Sequence, residues 1–278
     1  MVKKSKRRST TWLIDACNKW NVNVSYYDIS GLQTAIYSAS ENDNEKPNLL
    51  LIHGLNGSWR GLKQMGYLLK GQYNVFFVDL PAHGASAAPE TFDMSWWSSW
   101  AKALLEDETF SHSTSGHIDR IIAHSFGCYV AALMKEHRDI PTTFLMPVLQ
   151  KSKFMDIWGD VVNLATPLAI ATYNIQVWAS FRGFVLCHKH NFDSWRICRW
   201  LSAPPYSSHE QLRYQSKIMN NLPTYSLPYR PSDRIVIGEF DAVVKREDVG
   251  DKPVTIFSGS HMAPIEDAES LTKVICSL

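Results

Sequence analysis

No stretch of this chain approaches the ~20 consecutive apolar residues that a membrane-spanning helix needs, so stable insertion into a bilayer is not expected. Cysteine is scarce and odd in number: Cys17, Cys128, Cys187, Cys198 and Cys276. Five cysteines in 278 residues make no disulfide framework, and free thiols in a reducing compartment are the simpler expectation, so the chain reads as cytoplasmic. Net charge is nearly absent: 28 Lys and Arg stand against 27 Asp and Glu, for a formal +1. Without a basic surplus, nothing calls for a nucleic-acid partner. The one charge run, Lys3, Lys4, Lys6, Arg7 and Arg8, reads as a solvated end, and no apolar stretch of secretory-signal length follows it. Internal repeats and low-complexity linkers are missing as well.

What is present is ordinary globular material, 45% hydrophobic and 20% charged, and enough chain to bury a substantial core. Beyond an N-terminal tail and helix assigned to residues 1–23, Val24–Ile29 and Leu32–Ala39 read as a hairpin turning at Ser30-Gly31. A polar segment, Glu41–Pro47, follows as a loop. Then a rhythm sets in of apolar run, loop and amphipathic stretch. Leu49–Ile52, Val75–Val78, Ile118–Ala123 and Phe144–Met146 are short apolar runs that suit strands covered on both faces. Between them, Leu62, Met65 and Leu69 recur at helical spacing, as do Trp97, Trp100, Ala101, Leu104 and Leu105, and Phe126, Val130, Leu133 and Met134. The rhythm stops near Pro147 and resumes with Ile235–Ile237, Val254–Phe257 and a last helical face of Leu271, Val274, Ile275 and Leu278. Strands alternating with helices imply a mostly parallel, doubly wound α/β sheet, because parallel neighbours require crossover connections. The core is therefore expected at 24–147 and 232–278, with a helical cap inserted at 148–231.

Chemistry is concentrated at four strand ends. Ile121-Ile122-Ala123-His124-Ser125-Phe126-Gly127 runs an apolar strand into a serine and straight out into a helix. That is the setting of a nucleophile elbow: the tight turn needs small residues two positions either side, here Ala123 and Gly127. The serine also sits at a helix N-terminus, where backbone N–H groups and the dipole favour developing negative charge. A serine hydroxyl is a weak nucleophile without an adjacent base. His261, in Ser258-Gly259-Ser260-His261-Met262 between the last strand and the last helix, is the candidate. The imidazole in turn needs a carboxylate to fix its tautomer. Asp241, in Gly238-Glu239-Phe240-Asp241 after the strand 234–237, is the first choice, with Glu239 and Asp248 as rivals. His53-Gly54-Leu55-Asn56-Gly57 ends the first long apolar strand and suits an oxyanion hole, its donors the backbone N–H groups of Leu55 and Phe126.

Taken in order, His53-Gly54-Leu55, Asp79-Leu80-Pro81-Ala82-His83-Gly84-Ala85-Ser86, Ala123-His124-Ser125-Phe126-Gly127, Gly238-Glu239-Phe240-Asp241 and Gly259-Ser260-His261-Met262-Ala263-Pro264 resemble the α/β-hydrolase superfamily from about residue 24 to 278. The chain order Ser…Asp…His matches too. Two departures stand out: Ala123 replaces the usual glycine, and only 20 positions separate Asp241 from His261. The resemblance implies a structural role for Asp79–Ser86, loop support from His53 and His124, no catalytic part for His83, and a cap in the 148–231 insert. It implies hydrolysis of a carboxylic ester or related acyl compound, a small-molecule substrate, through an acyl-enzyme, with no metal or organic cofactor. Thioester hydrolysis, carbon–carbon bond hydrolysis and acyl transfer use the same triad, and a non-catalytic ligand-binding protein on this fold is the alternative of a different class.

Within the insert, Cys187-His188-Lys189-His190 with Cys198 fits no common zinc spacing and reads as a cluster of cap side chains. The aromatics Trp158, Tyr173, Trp178, Phe181, Phe184, Trp195, Trp200 and Tyr206 read as the cap's own core, a few of them also lining a pocket; Arg182, Lys189, Arg196 and Arg199 read as solvated surface.

Overall fold

The computed structural model describes residues 17–39, 43–108, 110, 117–150 and 208–277. The N-terminal basic run, the Cys187–Cys198 group, and the aromatic and basic residues singled out between Trp158 and Tyr206 lie outside the described residues.

Eight strands form one sheet in the order β1-β2-β4-β3-β5-β6-β7-β8. The hairpin comes first: β1 (Asn23–Ile29) pairs antiparallel with β2 (Leu32–Ser38), Ile29 opposite Leu32. Its two turn residues, Ser30 (φ 53°) and Gly31 (φ 76°), both lie in the left-handed region, the geometry whose twist matches that of the strands it joins. β2 then runs antiparallel to β4 (Asn74–Val78), and from β4 onward every pairing is parallel. β3 (Asn48–Ile52) and β5 (Arg120–His124) lie at the centre, with Leu50 between Phe76 and Ile121. All five residues of β3 are buried, as an unbroken apolar run in a parallel sheet requires. β6 (Thr142–Leu145), β7 (Arg234–Gly238) and β8 (Thr255–Phe257) complete the sheet.

Both faces are covered, and β4 shows how. Successive strand residues point to opposite sides. Phe77 meets Trp59 and the α1 helix (Lys63–Leu69), where a side-chain carbon on Gly66 would come within 2.3 Å of the Phe77 ring. Phe76 points the other way and meets Phe110 edge-on, just beyond the α2 helix (Trp96–Glu106). Five residues of α2, Trp97, Trp100, Ala101, Leu104 and Leu105, are buried on one face, as their spacing foretells. α3 (Phe126–His137) follows β5 and packs against α2. α4 (His209–Asn221) opens with a capping box in which the Ser208 hydroxyl and the Gln211 amide group satisfy each other's backbone. α5 (Ala263–Glu266) and α6 (Ala268–Ser277) close the chain beside α1. Among the described residues no helix is long and apolar enough to cross a membrane.

The end of the sheet away from the site, where β6 and β7 begin, is tied by a buried ion pair. Lys135 Nζ donates to Asp233 Oδ1 and Asp139 Oδ1, both at 3.0 Å, and to the Ile140 carbonyl at 2.8 Å. The Asp233 carboxylate also accepts from Thr142 N and Arg230 N, so one buried carboxylate aligns the starts of β6 and β7.

Candidate active site

Ser125 leaves β5 in a backbone conformation (φ 56°, ψ −123°) that side chains other than hydrogen seldom adopt. Holding such a residue costs of the order of 1–3 kcal/mol, and the surroundings must enforce it. Here Ser125 N donates to the Leu145 carbonyl at 2.9 Å, and the Ser125 carbonyl accepts from Cys128 N and Val148 N. Gly127 explains the small-residue requirement directly. A β-carbon there would stand 2.6 Å from the His53 carbonyl and 2.7 Å from that of Ile52, so only glycine lets α3 approach the end of β3. Ala123, in place of the usual glycine, is fully buried within β5. Gly54 is constrained from the other side: a β-carbon would come within 2.8 Å of Ser125 Cβ and 3.2 Å of its Oγ. The space beside the hydroxyl stays open because position 54 carries no side chain.

His261 and Asp241 arrive from the ends of β8 and β7. The two loops cross at close range, where Gly238 tolerates no β-carbon because the Gly259 carbonyl would lie 2.5 Å away. Phe240 N donates to that same carbonyl. The crossing brings three distant stretches together. His261 Nε2 is 2.8 Å from Ser125 Oγ, and His261 Nδ1 is 2.9 Å from Asp241 Oδ2. All three side chains are buried. Asp241 accepts only when ionised, so it fixes the imidazole proton on Nδ1 and leaves the Nε2 lone pair facing the serine hydroxyl. Its other oxygen accepts from Val243 N at 2.7 Å and Val244 N at 3.0 Å. Burial works to raise the Asp241 pKa, but the neighbouring His261 and the two backbone N–H groups outweigh it and hold the carboxyl below its ordinary value. The rivals lie elsewhere: Glu239 is exposed, and the Asp248 carboxylate takes Lys245 N and the Gln150 amide. The short Asp241–His261 separation is therefore sufficient for contact.

Three further histidines brace the loops. His124 Nε2 donates to the His261 carbonyl at 2.7 Å, linking the strand that carries the serine to the loop that carries the imidazole. His53 Nε2 accepts from Leu80 N at 3.1 Å, which puts its proton on Nδ1, 2.8 Å from the Gly54 carbonyl. His83 is wired the same way, accepting from Asn56 N and donating to the Pro81 carbonyl. The 79–86 loop thus holds the 53–57 loop. Asp79 anchors it in turn, taking Trp59 N, Ala85 N and the Tyr37 hydroxyl at 2.7–2.9 Å. Burial pushes the Asp79 carboxyl up to about 6 against these three donors.

Leu55 and Phe126, the two expected oxyanion donors, line one cleft with Ser125 and His261. Phe126 is the first residue of α3, where an N–H has no partner within the helix. The cleft spans about 870 Å³, open solvent at its mouth included. Its walls are mostly apolar: Leu62, Val148, Val243, Met262 and Ile265 from the core, and Ile218 and Met219 from α4 with Leu222 just after it. The α4 residues are absent from the sequence expectations. Their signal was legible, since Gln211, Gln215, Ile218 and Leu222 recur at helical spacing behind the Ser208 cap. Among the described residues no group of three or more His, Cys, Asp or Glu side chains could hold a metal ion.

The sequence model of the alpha/beta hydrolase family matches residues 49–273, and the chain belongs to that family. Hydrolase is accordingly its enzyme class. No curated protein matches the sequence. Among solved structures, the fold is similar to that of an esterase from Thermogutta terrifontis with malate bound, at 16% identity and a TM-score of 0.72 over 92% of this chain and 97% of the other. An enol-lactonase from Burkholderia xenovorans is similar at 13% identity and a TM-score of 0.69, over 91% and 98%. A hydrolase from Pseudomonas aeruginosa is similar at 13% identity and 0.72, over 92% and 97%. At these identities the likeness is one of fold.

Proposed function

We propose that this chain is a serine hydrolase that cleaves a carboxylic ester, or a closely related acyl compound, through an acyl-enzyme. The observation that carries the reading is the unbroken hydrogen-bonded line from Asp241 through His261 to Ser125 at the floor of an apolar cleft. His261 Nε2 takes the Ser125 proton as Oγ attacks the acyl carbon, and the backbone N–H groups of Leu55 and Phe126 receive the carbonyl oxygen as it becomes anionic. The Nε2 proton passes to the leaving alcohol as the ester C–O bond breaks. His261 then takes a proton from water, whose oxygen attacks the acyl-enzyme, and returns it to Ser125 as the acid departs. Asp241 stays ionised throughout, a role its lowered pKa suits. The 148–231 insert is read as the cap; among its described residues, α4 lines this cleft. No step calls for a metal or an organic cofactor.

The test is hydrolysis of an ester panel by the wild type and by Ser125→Ala. Turnover is expected to fall by up to ~10⁶ in the variant. Retention of turnover would remove Ser125 from the mechanism.

A further inference from the structure

We propose that Ile218 and Met219 at the end of α4, with Leu222 directly after it, form a rigid gauge for the acyl chain, and that the substrates are esters of apolar carboxylic acids. This rests on the ester-hydrolase reading above and goes beyond it by naming the acyl class and the side chains that measure it. The first support is what the cleft wall is made of. The described lining is mostly apolar, with Leu55, Leu62, Val148, Val243 and Ile265 among it, and such a wall suits an apolar acyl chain better than a charged one.

The second support is position. Ile218 and Met219 lie in the last turn of α4, Leu222 directly follows it, and all three line the cleft with Ser125. Filling the space against them is a matter of methylene count.

The third support is rigidity, because a wall that yields cannot tell one chain length from the next. α4 is pinned to the 82–86 loop by two buried carboxamides one helical turn apart. Gln211 Nε2 donates to the Gly84 and Ser86 carbonyls at 3.1 and 2.8 Å, and Gln215 Nε2 donates to the Ala82 carbonyl at 2.6 Å. That loop is itself braced by Asp79 and His83. The gauge is therefore fixed to the same frame that holds the 53–57 loop beside the serine.

The test is kcat/KM for p-nitrophenyl acetate, butyrate, octanoate and dodecanoate, and for the mono-p-nitrophenyl ester of succinic acid, with the wild type, Ile218→Ala and Ile218→Phe. Ile218→Ala should raise the octanoate-to-butyrate ratio about tenfold, and Ile218→Phe should lower it by a similar factor. Ile218→Val, a smaller change at the same site, should move the ratio in the Ala direction by less and serves if Ala impairs folding. Gln215→Leu should flatten the chain-length profile. The succinate ester should be at least tenfold poorer than butyrate for the wild type. An unmoved profile in all four variants overturns the gauge, and a succinate ester turned over as well as butyrate overturns the acyl class. Failure of the wild type to hydrolyse any member would overturn the ester-hydrolase reading itself, an outcome separable from the other two.

Discussion

Ser125 is set apart by its backbone before its side chain is considered. A positive φ at a non-glycine residue persists only where neighbours over-determine it, and Ser125 is held by Leu145, Cys128 and Val148 while Gly54 and Gly127 clear room on either side. The clearance at position 127 makes a sharp prediction. Gly127→Ala would push α3 off the carbonyls of Ile52 and His53, and thermal unfolding should show a loss of about 1–3 kcal/mol together with reduced turnover. Asp241 makes a second prediction, in pH. Its folded pKa lies below the unfolded value, so its stabilising contribution is complete above about pH 4 and is lost as pH falls through the lower, folded value. Urea midpoints should therefore drop on the acid side in the wild type and drop less in Asp241→Asn. An identical acid limb in the two proteins would mean that Asp241 is not the linked group.

Elements differ in how openly the sequence announces them. β3, β4 and β5 were legible because each is a short apolar run buried on both faces, and α2 because its buried residues keep helical period. Ile118 and Asp119 read as strand, yet β5 begins at Arg120: Asp119 N donates to the Asn48 carbonyl, but Asn48 N donates to the Asp119 carboxylate and not to a backbone carbonyl. Ser125, His261 and Asp241, which the fold brings into contact, are candidates from the sequence because each follows a recognisable strand end. Loop support from His53 and His124 is implied by the resemblance, but their partners, 27 and 137 positions away, and the bracing by His83 are not, since no local pattern joins residues so far apart. The apolar wall of α4 went unnamed for a related reason: amphipathic spacing identifies a buried face without saying whether it covers a core or a cleft. At the opposite end of the strands, Lys135 and Asp233 are a partnership between elements that neither local pattern reveals. Lys135→Met leaves the Asp233 carboxylate buried without its cation and should destabilise the fold by about 3–5 kcal/mol in urea unfolding.

At the scale of the whole molecule, the parallel run from β4 to β8 sends every connecting loop of interest to the same rim. Ligands collect at that rim in sheets of this type because the strands end there with open backbone and helices begin. The serine comes from the central strand β5, the imidazole from the edge strand β8 and the carboxylate from β7, and β6 stops at Leu145 beneath the place where they meet. The topology thus does the work that no stretch of sequence could do alone, converging residues 136 positions apart to 2.8 Å. Whether that convergence makes Ser125 nucleophilic is open to one direct measurement: the rate and site of labelling by a fluorophosphonate, mapped by mass spectrometry in the wild type and in His261→Ala. The expected result is a single adduct on Ser125 that forms ~10²–10⁴-fold more slowly without the imidazole. An adduct elsewhere in folded protein, or a rate indifferent to His261, would contradict it.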